Sequence, residues 1–141
     1  MYGSEDYVPA FGSQGGSAVE GAITAINFLP LGANQTELNR YRYWLHKLYP
    51  GAALTEEGLY AWSAAKLFTT EAVQLGAKLS RSSLNTRLRT VKGWTGGGLH
   101  APMAVGTKHV SPCVRFLQLH NGAWGSLGGT SYRCNGVTTA H

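Results

Sequence analysis

Five histidines are the residues of this chain best suited to bind a metal or move a proton near neutral pH: His46, His100, His109, His120 and His141. None has a second ligand at the i, i+4 spacing that puts two side chains on one helical face, and no HExxH run occurs. His109 and Cys113 are four apart, but Pro112 breaks any helix that would align them. All five read as surface or turn histidines. The acids Glu5, Asp6, Glu20, Glu37, Glu56, Glu57 and Glu71 read as helix-start or N-terminal loop residues, so no carboxylate pair is placed for acid–base work. There is no GxSxG elbow, and the serines fall in Gly-rich or helix-cap contexts. Gly96-Gly97-Gly98 lacks the GxxxxGK[ST] spacing and no helix starts after it, so it reads as a flexible loop rather than a phosphate cradle. These patterns predict no catalytic set, no metal site, no cofactor and no enzyme.

Cys113 and Cys134 supply too few ligands for a structural zinc site and do not form a CxxC motif. A disulfide between them would add very roughly 3 kcal/mol by restricting the unfolded chain, and would place the protein in an oxidising compartment. Two free core thiols are the alternative, and spacing leaves both open. Twelve Lys and Arg against seven Asp and Glu give a net charge of +5. The cations are scattered, and only Arg81 to Lys92 resembles a basic helix face. A solvated face is favoured there over a nucleic-acid site. Four Trp, seven Tyr and four Phe are the richer resource. Tyr and Trp at element ends often line small-ligand clefts, although core packing is the commoner fate of any single ring.

The elements that must position these residues come from 141 positions, enough for one domain with a sizeable core. Charged residues are 13% of the chain, against roughly 25% in an average domain, and glycine occupies 19 positions. At 43% hydrophobic, the chain has enough apolar surface to offset the entropy of ordering. No apolar run approaches the roughly 20 residues of a membrane span. The opening Met1-Tyr2-Gly3-Ser4-Glu5-Asp6 carries neither the basic nor the apolar region of a signal peptide.

The first twenty residues are turn-rich and read as loop, with room for one short helical turn. Gly21 to Leu29 is the best strand, apolar on both faces, which suits a strand covered on both sides in an α/β sheet. A helix follows, capped by Thr36 or Asn34, with Leu38, Tyr41, Leu45 and Leu48 on one face, and Pro50-Gly51 ends it. The next helix is capped by Thr55, favoured by Glu56 and Glu57 at its positive end, and closed by Gly76. Its apolar face is predicted to comprise Leu59, Trp62, Ala65, Phe68, Ala72, Val73 and Leu75. A shorter helix begins at Ser80 or Ser82, buries Leu84, Leu88 and Val91, and closes at Gly93. Val114 to His120 and Ala123 to Leu127 form a hairpin about Asn121-Gly122, a type I′ turn. One strand, three helices and a hairpin make half of an α/β architecture, with too few strands to cover their own helices.

In this order the segments resemble the type I periplasmic binding proteins, the Leu/Ile/Val-binding-protein-like receptors of ABC transporters. The resemblance rests on six stretches. They are Gly-Ser-Ala-Val-Glu-Gly-Ala-Ile-Thr-Ala-Ile-Asn-Phe-Leu-Pro (from Gly16), the aromatic helix from Asn39 into Tyr49-Pro50-Gly51, and Gly-Leu-Tyr-Ala-Trp-Ser-Ala-Ala-Lys-Leu-Phe (from Gly58). Leu-Ser-Arg-Ser-Ser-Leu, Gly-Gly-Leu-His-Ala-Pro, and Ser-Pro-Cys-Val-Arg-Phe-Leu-Gln-Leu-His-Asn-Gly-Ala-Trp complete the set, with the terminal Tyr-Arg-Cys. It spans roughly Tyr7 to Cys134 and corresponds to the C-terminal third or so of the family.

The resemblance implies an α/β chain that is an incomplete portion of a two-lobe fold, with parallel-sheet strands, flanking helices and a C-terminal β-hairpin. Residues 1–134 would form this partial domain and 135–141 a tail. It implies a non-catalytic substrate-binding component of an ABC importer that closes at a hinge on an amino acid or similar small polar ligand, then docks on the transporter permease. By position, Leu59 and Tyr60, in the loop before the second helix, resemble a cleft-lining segment, and Tyr2 and Glu5 lie near a second-lobe polar contact. The paired cysteines look like a variant familiar among actinobacterial members, which implies a Cys113–Cys134 disulfide and an exported, cell-envelope or extracellular protein. Strand and helix faces that expect absent neighbours predict association, a homo-oligomer included, or marginal stability. The competing classes are a small secreted interaction domain for a protein or glycan, and a nucleic-acid binder on the Arg81 to Lys92 face; the adopted reading has no nucleic-acid partner.

Overall fold

The computed structural model describes residues 7–107 and 111–134. The chain divides into two compact units, one of Met1–Asn27 with Pro112–His141 and one of Phe28–Ser111.

The first unit is a three-stranded sheet with a short helix. Helix α1 (Pro9–Gly15) begins at a proline, whose fixed φ suits the first helical position. It fills a stretch expected to be mostly loop. Strands β1 (Ile23–Ile26), β2 (Arg115–His120) and β3 (Ala123–Leu127) lie in that order and pair antiparallel throughout. Asn121 and Gly122 turn the hairpin with φ of 50° and 74°, the left-handed pair that a type I′ turn requires.

The parallel strands expected from the two-faced apolar pattern are not formed among the described residues, and the reason lies in the pairing. Only Ile23–Ile26 joins this sheet. Phe28 and Leu29 belong to the second unit, where Phe28 bridges His100 and the Leu29 N–H donates to the Leu99 carbonyl at 2.7 Å. One apolar run therefore serves two separate pairings. Within the sheet, Thr24, Ile26, Leu117 and Leu119 share the buried face, and Phe11 of α1 stacks on Trp124 of β3.

Arg115 also lies on that buried face, opposite Ile26, with only 7% of its surface exposed. Its guanidinium stacks on the Tyr132 ring at 4.1 Å. A desolvated stack of this kind is worth about 2 kcal/mol, whereas taking an ion out of water costs several. The Cys113–Cys134 disulfide is formed, and beside it Val114 and Arg133 exchange two backbone hydrogen bonds of 2.9 and 2.7 Å.

The second unit is helical. Helix α2 (Thr36–Leu48) is capped by Gln35 rather than Thr36 or Asn34. Gln35 Oε1 accepts from the Leu38 N–H at 2.9 Å while its Nε2 donates to the Gly97 carbonyl at 2.7 Å, so a distant turn selects the cap. Leu38 and Tyr41 are buried, but Leu48 is 65% exposed, because the last turn of α2 has run out of cover.

Helix α3 (Glu56–Leu75) has the expected Thr55 cap and ends at Gly76. Its buried stripe is Leu59, Ser63, Leu67 and Glu71 at a regular spacing of four. The sequence-based face included Phe68 and Val73, which are 52% and 81% exposed. Two polar residues take core positions instead, because each finds a polar partner: Ser63 the buried His100, and Glu71 the Arg87 guanidinium reaching in from the surface. Helix α4 (Arg81–Thr90) closes before Gly93, and Leu84, Leu88 and Val91 are half-buried. No helix among the described residues is long and apolar enough to cross a membrane.

Ser80 caps α4 through a reciprocal box with Ser83, accepting from the Ser83 N–H at 3.1 Å while Ser83 Oγ accepts from the Ser80 N–H at 2.9 Å. Ser80→Ala is expected to cost about 1 kcal/mol in urea unfolding, and Ser82→Ala close to nothing. Equal effects of the two would refute this assignment.

Candidate functional site

The chemistry-bearing side chains of the second unit gather around the turn Thr95–Gly98. Gly96, Gly97 and Gly98 all have positive φ (65°, 85° and 92°), which only glycine adopts at little cost. The turn is closed by the Thr95 carbonyl, which accepts from the N–H groups of Gly98, Leu99 and His100. It is a packed element, not the flexible loop that its composition suggested. A Cβ on Gly96 would come within 2.9 Å of Ser63 Cβ and 3.2 Å of His100 Nε2, and one on Gly97 would meet Lys66 and Glu37.

On the Gly96 side lies a buried relay. His100 is 1% exposed, which corrects its reading as a surface or turn histidine. Its Nδ1 lies 2.9 Å from the Ala101 carbonyl, which can only accept, so Nδ1 carries the proton. Nε2 of the neutral ring then accepts from the Ser63 hydroxyl at 2.8 Å, and Ser63 Oγ in turn accepts from Trp94 Nε1 at 2.9 Å. Burial pushes the imidazole below its ordinary value of 6.5, and the Ala101 hydrogen bond only partly opposes this. A serine–histidine pair suggests a nucleophile and its base. Here both members are buried and Nδ1 meets a backbone carbonyl instead of a carboxylate, so the pair locks α3 to the segment after the turn. Ser63 lies in mid-helix, outside the cap and Gly-rich contexts to which the serines were assigned.

On the Gly97 side is an open depression of about 280 Å³ lined by Glu37, Arg40, Trp62, Ala65, Lys66 and Thr69. Glu37 is buried and accepts from Lys66 Nζ at 2.5 Å, Trp62 Nε1 at 2.9 Å and Arg40 at 3.3 Å. Burial alone would raise its carboxyl. The hydrogen bonds from Lys66 and Trp62, with the charges of Lys66 and Arg40, outweigh it and hold the group below 4.5. Glu37 is thus a helix-start acid, as the sequence suggested, but a buried one. Glu71 is not a helix-start acid: it lies buried late in α3 and accepts from Arg87 Nε at 2.6 Å. Arg87 also donates to Gln74, so part of the basic Arg81 to Lys92 face is neutralised by α3.

Of the residues assigned to ligand contact, Leu59 and Tyr60 lie inside α3 rather than in a loop before it. Leu59 is fully buried in the core. Tyr60 is half-buried, stacked on the His100 ring at 5.3 Å and edge-on to Phe28 at 6.4 Å. Tyr2 and Glu5 lie outside the described residues, as do His109 and His141. His46 is exposed on α2, and His120 pairs with Glu20 at 3.0 Å near the hairpin turn. Among the described residues no group of three His, Cys, Asp or Glu is placed to hold a metal.

Both sites tie stability to pH with the same sign. The unfolded chain binds a proton at His100 near pH 6.5, whereas the folded chain binds it only at lower pH. Stability is therefore full above pH 6.5 and declines as the pH falls below it. Glu37, with a lowered folded value, adds a second loss as the pH drops below 4.5. Chemical denaturation from pH 8 to 4 should show the upper step, and His100→Gln should remove it while costing roughly 2 kcal/mol at pH 8. An unchanged upper step in that variant would rule out His100 as its source. Gly96→Ala is expected to cost at least about 2 kcal/mol, while Gly32→Ala, with open space around it, has little effect.

No protein-family model matches the sequence and no curated protein matches it. Among solved structures, the fold is similar to a protein from Rhodospirillum rubrum described as a branched-chain amino acid ABC transporter, with a TM-score of 0.72 at 24% identity. The match covers 89% of this chain and 36% of the other, so this chain spans about a third of that protein's length. At the level of fold, the likeness bears out the resemblance drawn from the ordered sequence segments: this mixed helix-and-sheet chain has the fold of a portion of a periplasmic-binding-protein-like molecule.

Proposed function

We propose that this chain is a portion of the substrate-binding component of an ABC importer, which in its intact form closes at a hinge on an amino acid or similar small polar solute and then docks on the transporter permease. The observation that carries the reading is the fold likeness over 89% of the chain to a protein described as a branched-chain amino acid ABC transporter. The connectivity agrees with it. The chain leaves the first unit after Asn27 and returns at Pro112, as expected of a lobed receptor whose strands cross a hinge. The Cys113–Cys134 disulfide suits an exported, cell-envelope protein.

Tyr60 is the residue of choice for solute contact, with its ring held by Phe28 and His100 and with Leu59 packed behind it in the core. Tyr2 and Glu5 keep the polar role that the resemblance implies. Such a protein is a binder, not a catalyst, and the buried Ser63–His100 pair gives a solute no nucleophile to meet.

A second reading, a secreted interaction domain for a protein or glycan, draws on α2 and the residue after it. Tyr43, Trp44, Leu48 and Tyr49 are exposed there, and Lys47 lies over the rings of Tyr43 and Trp44. Loss of partner retention in Trp44→Ala with amino-acid binding intact would favour that reading.

The test has two arms. Reading the DNA upstream of Met1 should find an in-frame βα-rich extension with an export signal. The product of that longer frame should bind leucine, isoleucine or valine saturably in calorimetry, with Tyr60→Ala weakening binding at least tenfold, about 1.4 kcal/mol. An upstream region without such an extension, or a longer product that binds no amino acid, would overturn the proposal. The present chain by itself is expected to associate through Phe68 and Val73, and Phe68→Ser with Val73→Ser should shift its light-scattering mass toward the monomer.

A further inference from the structure

The first unit contains a cation that its own fold leaves unanswered. Arg115 stands in a row with Leu117 and Leu119 on the covered face of β2, a position that usually carries an aliphatic side chain. Its Nε–H has no hydrogen-bond partner, and none of the ion pairs among the described residues includes it. Tyr132 covers one flat side of the guanidinium, yet acceptors bind in the guanidinium plane, at its N–H edge. The buried Tyr132 phenol oxygen meets no group but the Arg115 guanidinium among the described residues, so its own O–H has no acceptor there. Buried polar groups are nearly always paired, and an uncompensated buried charge is the costliest exception.

Backbone geometry brings these two donors together. Val114 and Arg133 form a two-bond bridge, the Cys113–Cys134 disulfide lies on one side of it, and Arg115 and Tyr132 lie on the other. We propose that Arg115 and Tyr132 form a binding site for the carboxylate of a small molecule, which would accept from the guanidinium edge and the phenolic O–H, and that the disulfide holds the site together. The charge balance favours a monoanion over a phosphate. The next cation, Arg133, lies over the ring of Phe116, whose side chain is on the opposite face of β2 from Arg115. One positive charge and a planar fork match one carboxylate. The proposal does not rest on the solute-receptor reading, since none of the residues assigned to solute contact there, Tyr60, Tyr2 and Glu5, takes part.

The test uses the oxidised full chain, labelled with 15N-arginine, and follows the Arg115 Nε–Hε resonance during titration with sodium acetate and, separately, sodium chloride at matched ionic strength. The expected result is a saturable displacement with acetate only. Tyr132→Phe should weaken the acetate response three- to tenfold, and reduction of the disulfide at least tenfold. Arg115→Met should leave the protein at least as heat-stable as the parent in acetate-free buffer, because it removes an uncompensated charge, and acetate should raise the melting temperature of the parent but not of this variant. Equal, non-saturating shifts with acetate and chloride would overturn the proposal. So would an Arg115→Met variant that melts lower than the parent in acetate-free buffer, since the arginine would then be a structural prop.

Discussion

The turn at Thr95–Gly98 can approach its neighbours closely because three successive residues have no Cβ and all accept positive φ. Gly96 makes room for the Ser63–His100 contact, Gly97 lies against the Glu37–Lys66 ion pair, and the Gly97 carbonyl receives the side chain that caps α2. A side chain at any of these positions would push the turn outward and strand several buried polar groups at once. The position of this single turn therefore bears on the cap of α2, the Ser63–His100 contact and the surroundings of Glu37. These polar contacts tie α2, α3 and the segment after the turn together beside the apolar core of Phe28, Leu38, Leu59 and Leu99.

The first unit solves a different problem. Its antiparallel ladder pairs the three strands, and the disulfide with the Val114–Arg133 bridge fastens the segment that follows β3. The polar side chains of its interior are less well served: among the described residues the Trp124 Nε1–H and the Arg115 Nε–H are buried without an acceptor. In the second unit nearly every buried polar group belongs to a closed network, which specifies rigid geometry.

Sequence signals acting over four residues or fewer were legible before any coordinates. The Thr55 cap and Gly76 terminus of α3, the Ser80 start of α4, the Asn121-Gly122 turn and the extent of β3 all follow from local backbone needs. The order of these elements, together with the motif-like stretches, also pointed to the periplasmic-binding-protein-like fold. Where the reading departed from the structure, a distant partner had intervened. Gln35 caps α2 because Gly97 lies across from it. Ser63 and Glu71 occupy core positions because His100, Trp94 and Arg87 reach them.

The sequence by itself determined that α2, α3 and α4 become helix and that β2 and β3 form a hairpin, since each such choice is made by hydrogen bonds and caps within a turn or two. It also narrowed the crosslink to a single pair, having only two cysteines. Tertiary structure alone decided which helix face is covered, that β1 pairs antiparallel with β2, and that His100, Glu37 and Arg115 are buried. A polar residue is buried or exposed according to what meets it, and Trp62 meets Glu37 across 25 positions, Ser63 meets His100 across 37. No periodicity within one element encodes contacts at that separation.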